Sequence, residues 1–415
     1  MNALLTSSCG TPTEAAPSIW GRCRILYIIG QLGWGGSERQ LSYLLRAMDR
    51  ERYPSHVLVW NYSPDHRYVE EIRSLGVPIH WFPQGASGIA KLRGVQRLTQ
   101  SLGAEVIHSC SFYTNFPAYW GASKTNAVAL GSLRGEFAKE KKNSGSLLGR
   151  LSARWPRYQI CNSFASAEEV RSSRGMFSPA NVRVIRNGLD LDRFSFAKGG
   201  AVGKPSIAGV GSLLPLKRWD RILRVVRQVR SQGIDCTLTI AGEGPERSSL
   251  ERMARDLGIQ EHAEFIGATS DVPELLKHSR FLVHASETEG CPNAVVEAMA
   301  CGRPVVAMEA GDIPFLVDDG KTGFVIRRGD EETFGQRVIQ LLSDVELCCR
   351  MGLAARAKAE REFGLGRLVA ETLAAYEDAG WKGRNTHQPL CAPLTDKAER
   401  HLCHESHQKP KPNSR

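Results

Sequence analysis

Long apolar runs are missing from this 415-residue sequence. Nothing approaches the roughly 18 consecutive apolar residues that a membrane-crossing helix needs. The first 23 residues also lack the continuous apolar segment of an export signal. Neither secretion nor a membrane span is expected, and the chain reads as cytoplasmic. Cysteine offers no framework either. The 11 cysteines are odd in number and form no repeated C-x-x-C pair, and Cys161, Cys236 and Cys301 lie in apolar runs where cysteine behaves as a small hydrophobe. Acidic residues fall short of basic ones, 44 against 54, which leaves a net charge of +10. That balance attracts anions, but nucleic acid, anionic lipid and nucleotide phosphates all answer to it.

At this length single cores split, so two domains of up to about 200 residues each are expected. Short apolar strands alternate with helical periodicity, the pattern of an α/β chain. The first strand, Arg24 to Ile29, leads into Gly30-Gln-Leu-Gly-Trp-Gly-Gly36 and a helix with Leu41, Leu44, Leu45 and Met48 on one face. Ser37 and Gln40 fit a capping box there. Gly33, Gly35 and Gly36 do not fit G-x-G-x-x-G, and no acidic residue ends the second strand, Ser55 to Trp60, which argues against a dinucleotide site. Asp190 and Asp192 form an Asp-x-Asp with no further acidic or histidine cluster to complete a metal shell, so no metal site is assigned. The tail from 382 to 415 holds His387, His401, His404, His407, Cys391 and Cys403 at spacings that match no standard ligand pattern. With little apolar material to bury, the tail and residues 1–22 both read as disordered. Residues 134–157 are strongly basic. As a helix, Leu147, Leu148, Leu151 and Trp155 would share one face with Arg150, Arg154 and Arg157 beside or opposite it, which fits an anionic membrane surface or packing on the chain's own domain.

The densest chemistry lies between Ser286 and Pro304. A strand, Phe281-Leu-Val-His-Ala, runs into Glu289-Gly290-Cys291-Pro292-Asn293, and Pro292 and Asn293 suit the start of a helix that continues through Glu297 and Met299. Both carboxylates then face the crevice at the carboxyl end of a parallel strand, and the free N–H groups of the helix start suit a phosphate. Two glutamates eight apart are also ordinary surface charges in many chains. The run Glu289-Gly-Cys-Pro-Asn-Ala-Val-Val-Glu297-Ala-Met-Ala-Cys-Gly302-Arg-Pro304 resembles the signature of the family-4 retaining glycosyltransferases. The Gly35-Gly36-Ser-Glu-Arg block, Asn187-Gly-Leu-Asp190 through Phe194, and Lys217 resemble further motifs of that family in the same order. The resemblance spans residues 24 to 380.

The resemblance implies a GT-B fold: two Rossmann-like domains, at 23–196 and 205–363, facing a central cleft. A linker at 197–204 would join them, and a helix at 364–381 would cross back onto the first. It implies transfer of a sugar from a nucleotide-sugar donor to a glycan or lipid-linked acceptor, with retention at the anomeric carbon and with no metal or other cofactor. The setting would be cell-surface polysaccharide or glycolipid synthesis. Nucleic acid is not an implied partner, and residues 134–157 would bring the protein to the inner face of the membrane. By resemblance Glu289 lies against the donor sugar, Glu297 accepts from the ribose, and Lys217 meets the diphosphate beside Gly290, Cys291, Pro292 and Asn293. Gly35 and Gly36 belong to a loop near phosphates and acceptor, and Gly267 to Val272 form the cradle of the base. Three places depart from the pattern. Cys110 ends a His-x-His, so that either His108 serves as the catalytic candidate, or Ser109 and Ser111 contact the acceptor, or the position is not essential; Ser212 replaces an Arg and leaves Arg218 to assist Lys217, and Phe315 replaces a Glu. A nucleotide-sugar epimerase on the same fold and a catalytically silent GT-B binding protein are the alternatives.

Overall fold

The computed structural model describes residues 6–8, 23–173, 175–196 and 205–382. The expected linker, 197–204, and the expected tail from 383 onward lie outside them. So does most of the leader, but Thr6–Ser8 is a strand, β1, where no structure was expected. It pairs antiparallel with β4 (Ile79–Trp81). The rest of the first sheet is parallel: β2 (Ile25–Ile29), β3 (Ser55–Val59), β5 (Val106–Ser109), β6 (Val128–Leu133), β7 (Tyr158–Cys161) and β8 (Asn181–Val184), in the order β1-β4-β3-β2-β5-β6-β7-β8. The second sheet comprises β9 (Ser206–Val210), β10 (Thr237–Ala241), β11 (Ala263–Gly267), β12 (Phe281–His284), β13 (Val305–Met308) and β14 (Gly323–Ile326). It is parallel throughout, in the order β11-β10-β9-β12-β13-β14.

Every residue of β2, β5, β12 and β13 is buried, as helices on both faces of a parallel sheet require. Each sheet reverses its order once, between β2 and β5 in the first and between β9 and β12 in the second. At these points neighbouring loops diverge and open a crevice beyond the carboxyl ends of the strands.

Several local expectations are corrected. Gly35, not Ser37, caps the helix Gly36–Ala47, and no side chain bonds the cap. Gln40 instead exchanges two hydrogen bonds with the backbone of Gly188, donating at 2.9 Å and accepting at 2.7 Å. Between 331 and 363 the chain forms two helices, Glu331–Ser343 and Val345–Phe363. Asp344 divides them by accepting the Leu347 N–H at 2.8 Å, the preference of Asp for a cap over a helix interior. Leu189, within the expected first domain, already meets the second. The Leu189 N–H donates to Phe363 O at 2.7 Å, and Leu189 and Phe194 are buried in the cluster of Val295 and Met299.

The helix Leu365–Asp378 lies on the first domain, where Leu368, Leu373 and Tyr376 join the core of β2 and Leu41. This contact settles the place of His108. Its Nδ1 is 2.9 Å from Tyr376 Oη, which also donates to Tyr27 Oη at 3.3 Å. Burial first, and the charge of Arg134 second, push the imidazole down to about 3. His108, expected beside the reacting sugar, is therefore a neutral ring sealed beneath the crossing helix. Its folded pKa lies below the unfolded 6.5, so the stability it supports is complete above pH 6.5 and is lost as pH falls toward 3. His108→Gln is expected to lower the thermal midpoint at pH 7 by a few degrees, since an unsatisfied buried partner costs about 1–3 kcal/mol. It should also flatten the decline of that midpoint between pH 6.5 and 4. Lost turnover with an unchanged midpoint and pH profile would return His108 to the chemistry.

Candidate active site

The two reversal points face each other. On the second domain, the loop after β9 carries Lys217 and the loop after β12 carries Glu289, so residues 72 apart in sequence meet. Lys217 Nζ is 2.5 Å from Glu289 Oε1. His284, the last residue of β12, brings Nε2 to 3.0 Å from the same oxygen. The carboxylate is only 11% exposed, and burial alone would raise its pKa. The hydrogen bond and charge of His284, then those of Lys217, overcome this and hold it at about 2. Glu289 is therefore ionised, and because a carboxylate only accepts, His284 must carry its proton on Nε2. Sequence reasoning missed His284. Its position at the carboxyl end of a strand beside the reversal point was the available signal.

The loop after Glu289 is set by a close approach. Gly311, at φ +50, packs so tightly that a Cβ there would lie 2.0 Å from the Glu289 carbonyl oxygen, so only glycine fits. The Asp312 N–H donates to Gly290 O at 3.0 Å. Pro292 caps the helix Asn293–Ala300. That helix points its free N–H groups, the positive end of its dipole, toward the first domain.

Across the cleft the domains are stitched by polar contacts. Asn187 Nδ2 donates to Asn293 Oδ1 at 2.9 Å. Asp312 accepts the N–H groups of Phe164 and Ala165, each at 3.0 Å, and so caps a first-domain helix from the second domain. Phe315 is 51% exposed and lies 5.0 Å, ring to ring, from Phe164. The residue in place of the family's Glu is thus an interdomain contact. Gly36 sits against Asn293, and Arg39, in the same block, pairs with Glu297 at 2.8 Å. Glu297 is 2% exposed, yet its Oε1 and Arg39 Nε make no directed hydrogen bond. Nearby, Gly290 lies against Asn162 and the carbonyl of Arg134. Arg134 Nε and Asn162 Oδ1 are likewise buried without hydrogen-bond partners. Beside Gly290, Arg134 Nε and Asn162 Oδ1 are thus open to a ligand or to water.

Other expected residues are placed as follows. Cys291 is buried in the cluster with Val295. Gly267 ends β11 at φ +77, and Val272 opens the helix Val272–Lys277, which packs on that same cluster. The loop between them is tied to Arg193, which donates to Ser270 O at 2.5 Å. Cys110 is buried beside His108 and Arg134. Arg218 is a correction. In a left-handed conformation, it turns its guanidinium onto Asp220, at 2.9 and 3.0 Å, and onto Glu287. Its partners in the structure are therefore Asp220 and Glu287, whereas Lys217 meets Glu289. Asp190 pairs with Arg46 at 2.8 Å, and among the described residues no group of three or more His, Cys, Asp or Glu is arranged to hold a metal ion.

The stretch 134–157 is two helices, Phe137–Asn143 and Ser146–Arg154, broken at Gly145. The second packs through Gly149, Ser152 and Ala153 rather than through its leucines, and Leu147 is 71% exposed. No helix among the described residues is long and apolar enough to cross a membrane.

These features converge on one arrangement: a buried, ionised carboxylate beside a lysine and a helix N-terminus, facing a second domain across a cleft. It can receive an anionic group and support a cationic centre next to it. The model of Glycosyltransferase Family 4 matches residues 34–193, and that of Glycosyl transferases group 1 matches residues 192–358. A 190-residue stretch is 34% identical to the GDP-mannose-dependent alpha-(1-6)-phosphatidylinositol monomannoside mannosyltransferase of Mycolicibacterium smegmatis, covering 41% of this chain and 49% of that protein. A 169-residue stretch is 30% identical to the N-acetyl-alpha-D-glucosaminyl L-malate synthase of Bacillus anthracis, covering 41% and 44%. The chain thus spans about half the length of these curated relatives. Among solved structures, Anabaena HepE in complex with UDP superposes with a TM-score of 0.73 at 20% identity, over 85% of this chain and 100% of that one, a likeness of fold. The two family models meet across residues 34–358, and the chain belongs to the family-4 glycosyltransferases of GT-B fold.

Proposed function

We propose that the protein is a retaining glycosyltransferase that moves a sugar from a nucleotide-sugar donor, held by the second domain, to a glycan or lipid-linked acceptor on the first. The observation that carries this reading is the ionised Glu289 carboxylate shared by Lys217 and His284 at the reversal point of the second sheet. Before the donor enters, Lys217 and Glu289 neutralise each other. The donor diphosphate draws Lys217 to itself, as a charge-assisted contact favours, and Glu289 is released toward the sugar with His284 still orienting it.

The bond between the anomeric carbon and the diphosphate oxygen then breaks, and its electron pair leaves on the diphosphate. Lys217 and the start of the helix Asn293–Ala300 stabilise that charge. Glu289 supports the cationic ring. The acceptor hydroxyl attacks on the face the diphosphate vacates, and its proton passes to a departing phosphate oxygen. Glu297, paired with Arg39 before the donor enters, accepts from the ribose hydroxyls. Charge on the leaving group is met by these groups alone, so the proposal calls for no metal or other cofactor. Lys139, Lys142, Arg150 and Leu147 are exposed together on the two basic helices, a combination suited to an anionic membrane where a lipid-linked acceptor resides.

Glu289→Gln is expected to reduce transfer at least about 100-fold, the scale on which single electrostatic groups act, with UDP affinity little changed. Lys217→Ala should weaken UDP binding about tenfold or more. Turnover of a nucleotide-sugar panel and calorimetric titration with UDP read the two outcomes. Full activity in the first variant, or unchanged affinity in the second, sinks the mechanism, and consumption of the nucleotide sugar by isomerisation without an acceptor would favour the epimerase. Because the folded pKa of Glu289 is depressed from 4.5 to about 2, its contribution to stability is present above pH 4.5 and lost as pH falls toward 2. Glu289→Gln should therefore flatten the acid decline of the thermal midpoint in that window. Sedimentation with vesicles containing phosphatidylglycerol is expected to pull down the wild type, and Leu147→Glu with Lys142→Glu to stay in solution. Equal sedimentation of both would exclude this surface.

A further inference from the structure

A groove of about 650 Å³ opens on the first domain beyond the carboxyl ends of β2, β3 and β4. Its walls combine flat aromatic surface with polar groups. Tyr62 and Trp81 stack 4.4 Å apart at 15°, and Trp60 meets Phe82 edge-on at 5.4 Å. Lys91 is fixed beneath them, donating to Trp60 O at 2.8 Å and lying over the rings of Trp60 and Phe82. Gln31, Asn61 and His66 face the same space. Arg67, next to His66, lies over Trp34, which is 76% exposed in the loop after β2.

That loop joins the groove to the active site. The Asn61 N–H donates to Gly30 O at 2.8 Å, and the Leu32 N–H to His66 Nδ1 at 3.4 Å. Six residues after Gly30, the same backbone reaches Gly36 beside Asn293. A molecule in the groove would thus lie along the loop that ends at the donor helix. We propose that this groove binds the acceptor as a saccharide, one pyranose ring resting on the Tyr62–Trp81 surface and its hydroxyls meeting Asn61, Gln31 and His66. The C–H face of a pyranose carries the partial positive charge that the face of an aromatic ring attracts, and the interspersed amides and imidazole answer the hydroxyls at its rim. A lipid tail would leave those polar groups buried without partners, which is costly. A pocket of this size accommodates a small saccharide.

The inference rests on the reading of the protein as a glycosyltransferase, and the experiment separates the two. Binding to an array of hexose, hexosamine and uronic acid oligosaccharides is measured with UDP present, and confirmed by the tryptophan fluorescence of the full chain. Hydrolysis of nucleotide sugars with water as acceptor is measured alongside. Wild type is expected to bind at least one class of oligosaccharide. Tyr62→Ala and Asn61→Ala should each weaken that binding at least about tenfold, while Tyr62→Phe, which keeps the ring but loses the bond from Arg73, stays within about threefold. Hydrolysis should be unchanged in all three. No oligosaccharide binding by the wild type, equal binding by Tyr62→Ala, or loss in that variant of polyprenyl phosphate binding instead of saccharide binding overturns the groove assignment. Saccharide binding without turnover of any nucleotide sugar overturns the enzymatic reading and leaves the groove standing.

Discussion

A single buried oxygen, Oε1 of Glu289, organises this molecule. An ionised carboxylate removed from water needs charged or hydrogen-bonding partners to offset its desolvation, and here they come from two strands. Lys217 arrives from the loop after β9 and His284 from the end of β12. That pairing is feasible only where β9 and β12 are neighbours whose connections leave in opposite directions. Gly311 completes the arrangement by letting the backbone pass within a Cβ's reach of the Glu289 carbonyl.

The first domain is a working part of this site as well as a neighbour. Asp312 reaches across to satisfy the N–H groups that begin the helix at Phe164, Asn187 meets Asn293, and Arg39 faces Glu297. The helix Leu365–Asp378 returns to the first domain and seals His108 under Tyr376. These contacts mix full satisfaction with orphaned atoms. The cap at Asp312 is complete, whereas Arg134 Nε and Asn162 Oδ1 are left open. The satisfied contacts fix how the domains meet, and the open ones line the space where a donor would lie. The aromatic groove beyond β2 to β4 lies along a backbone loop that begins at Gly30 and ends at Gly36 beside Asn293, so in the proposed reading donor and acceptor sides share one structural element.

Much was legible in the residues. Apolar strands buried on both faces and helical spacing between them gave the α/β class and the two domains, and the family resemblance placed Lys217 and Glu289 on one side of the cleft without foreseeing that they pair. Other readings failed for identifiable reasons. His108 has a polar side chain at a strand end, but a helix more than 250 residues later covers it. Arg218 follows Lys217 directly, yet its left-handed backbone swings it onto Asp220 and Glu287. The leucines of the basic helix resemble a packing face, but the small residues Gly149, Ser152 and Ala153 allow the closer approach and leave Leu147 outside. Asp312 and Arg39 were passed over because their partners are distant in sequence, and His284 because the loop that folds Glu289 back onto it, five residues on, has no periodic signal.

What the sequence determined by itself is therefore local and periodic. Short continuous apolar runs and the 3.6-residue helical period fix which segments become strands and helices, and the motif spacing fixes which loops carry charge. Tertiary structure alone decided which of those charges became partners. Desolvation and pairing depend on what a side chain faces across the fold. The same carboxylate type is held at about 2 in Glu289 and raised above its ordinary value in Asp312, where burial outweighs the backbone N–H groups and the Arg186 charge that favour its ionised form.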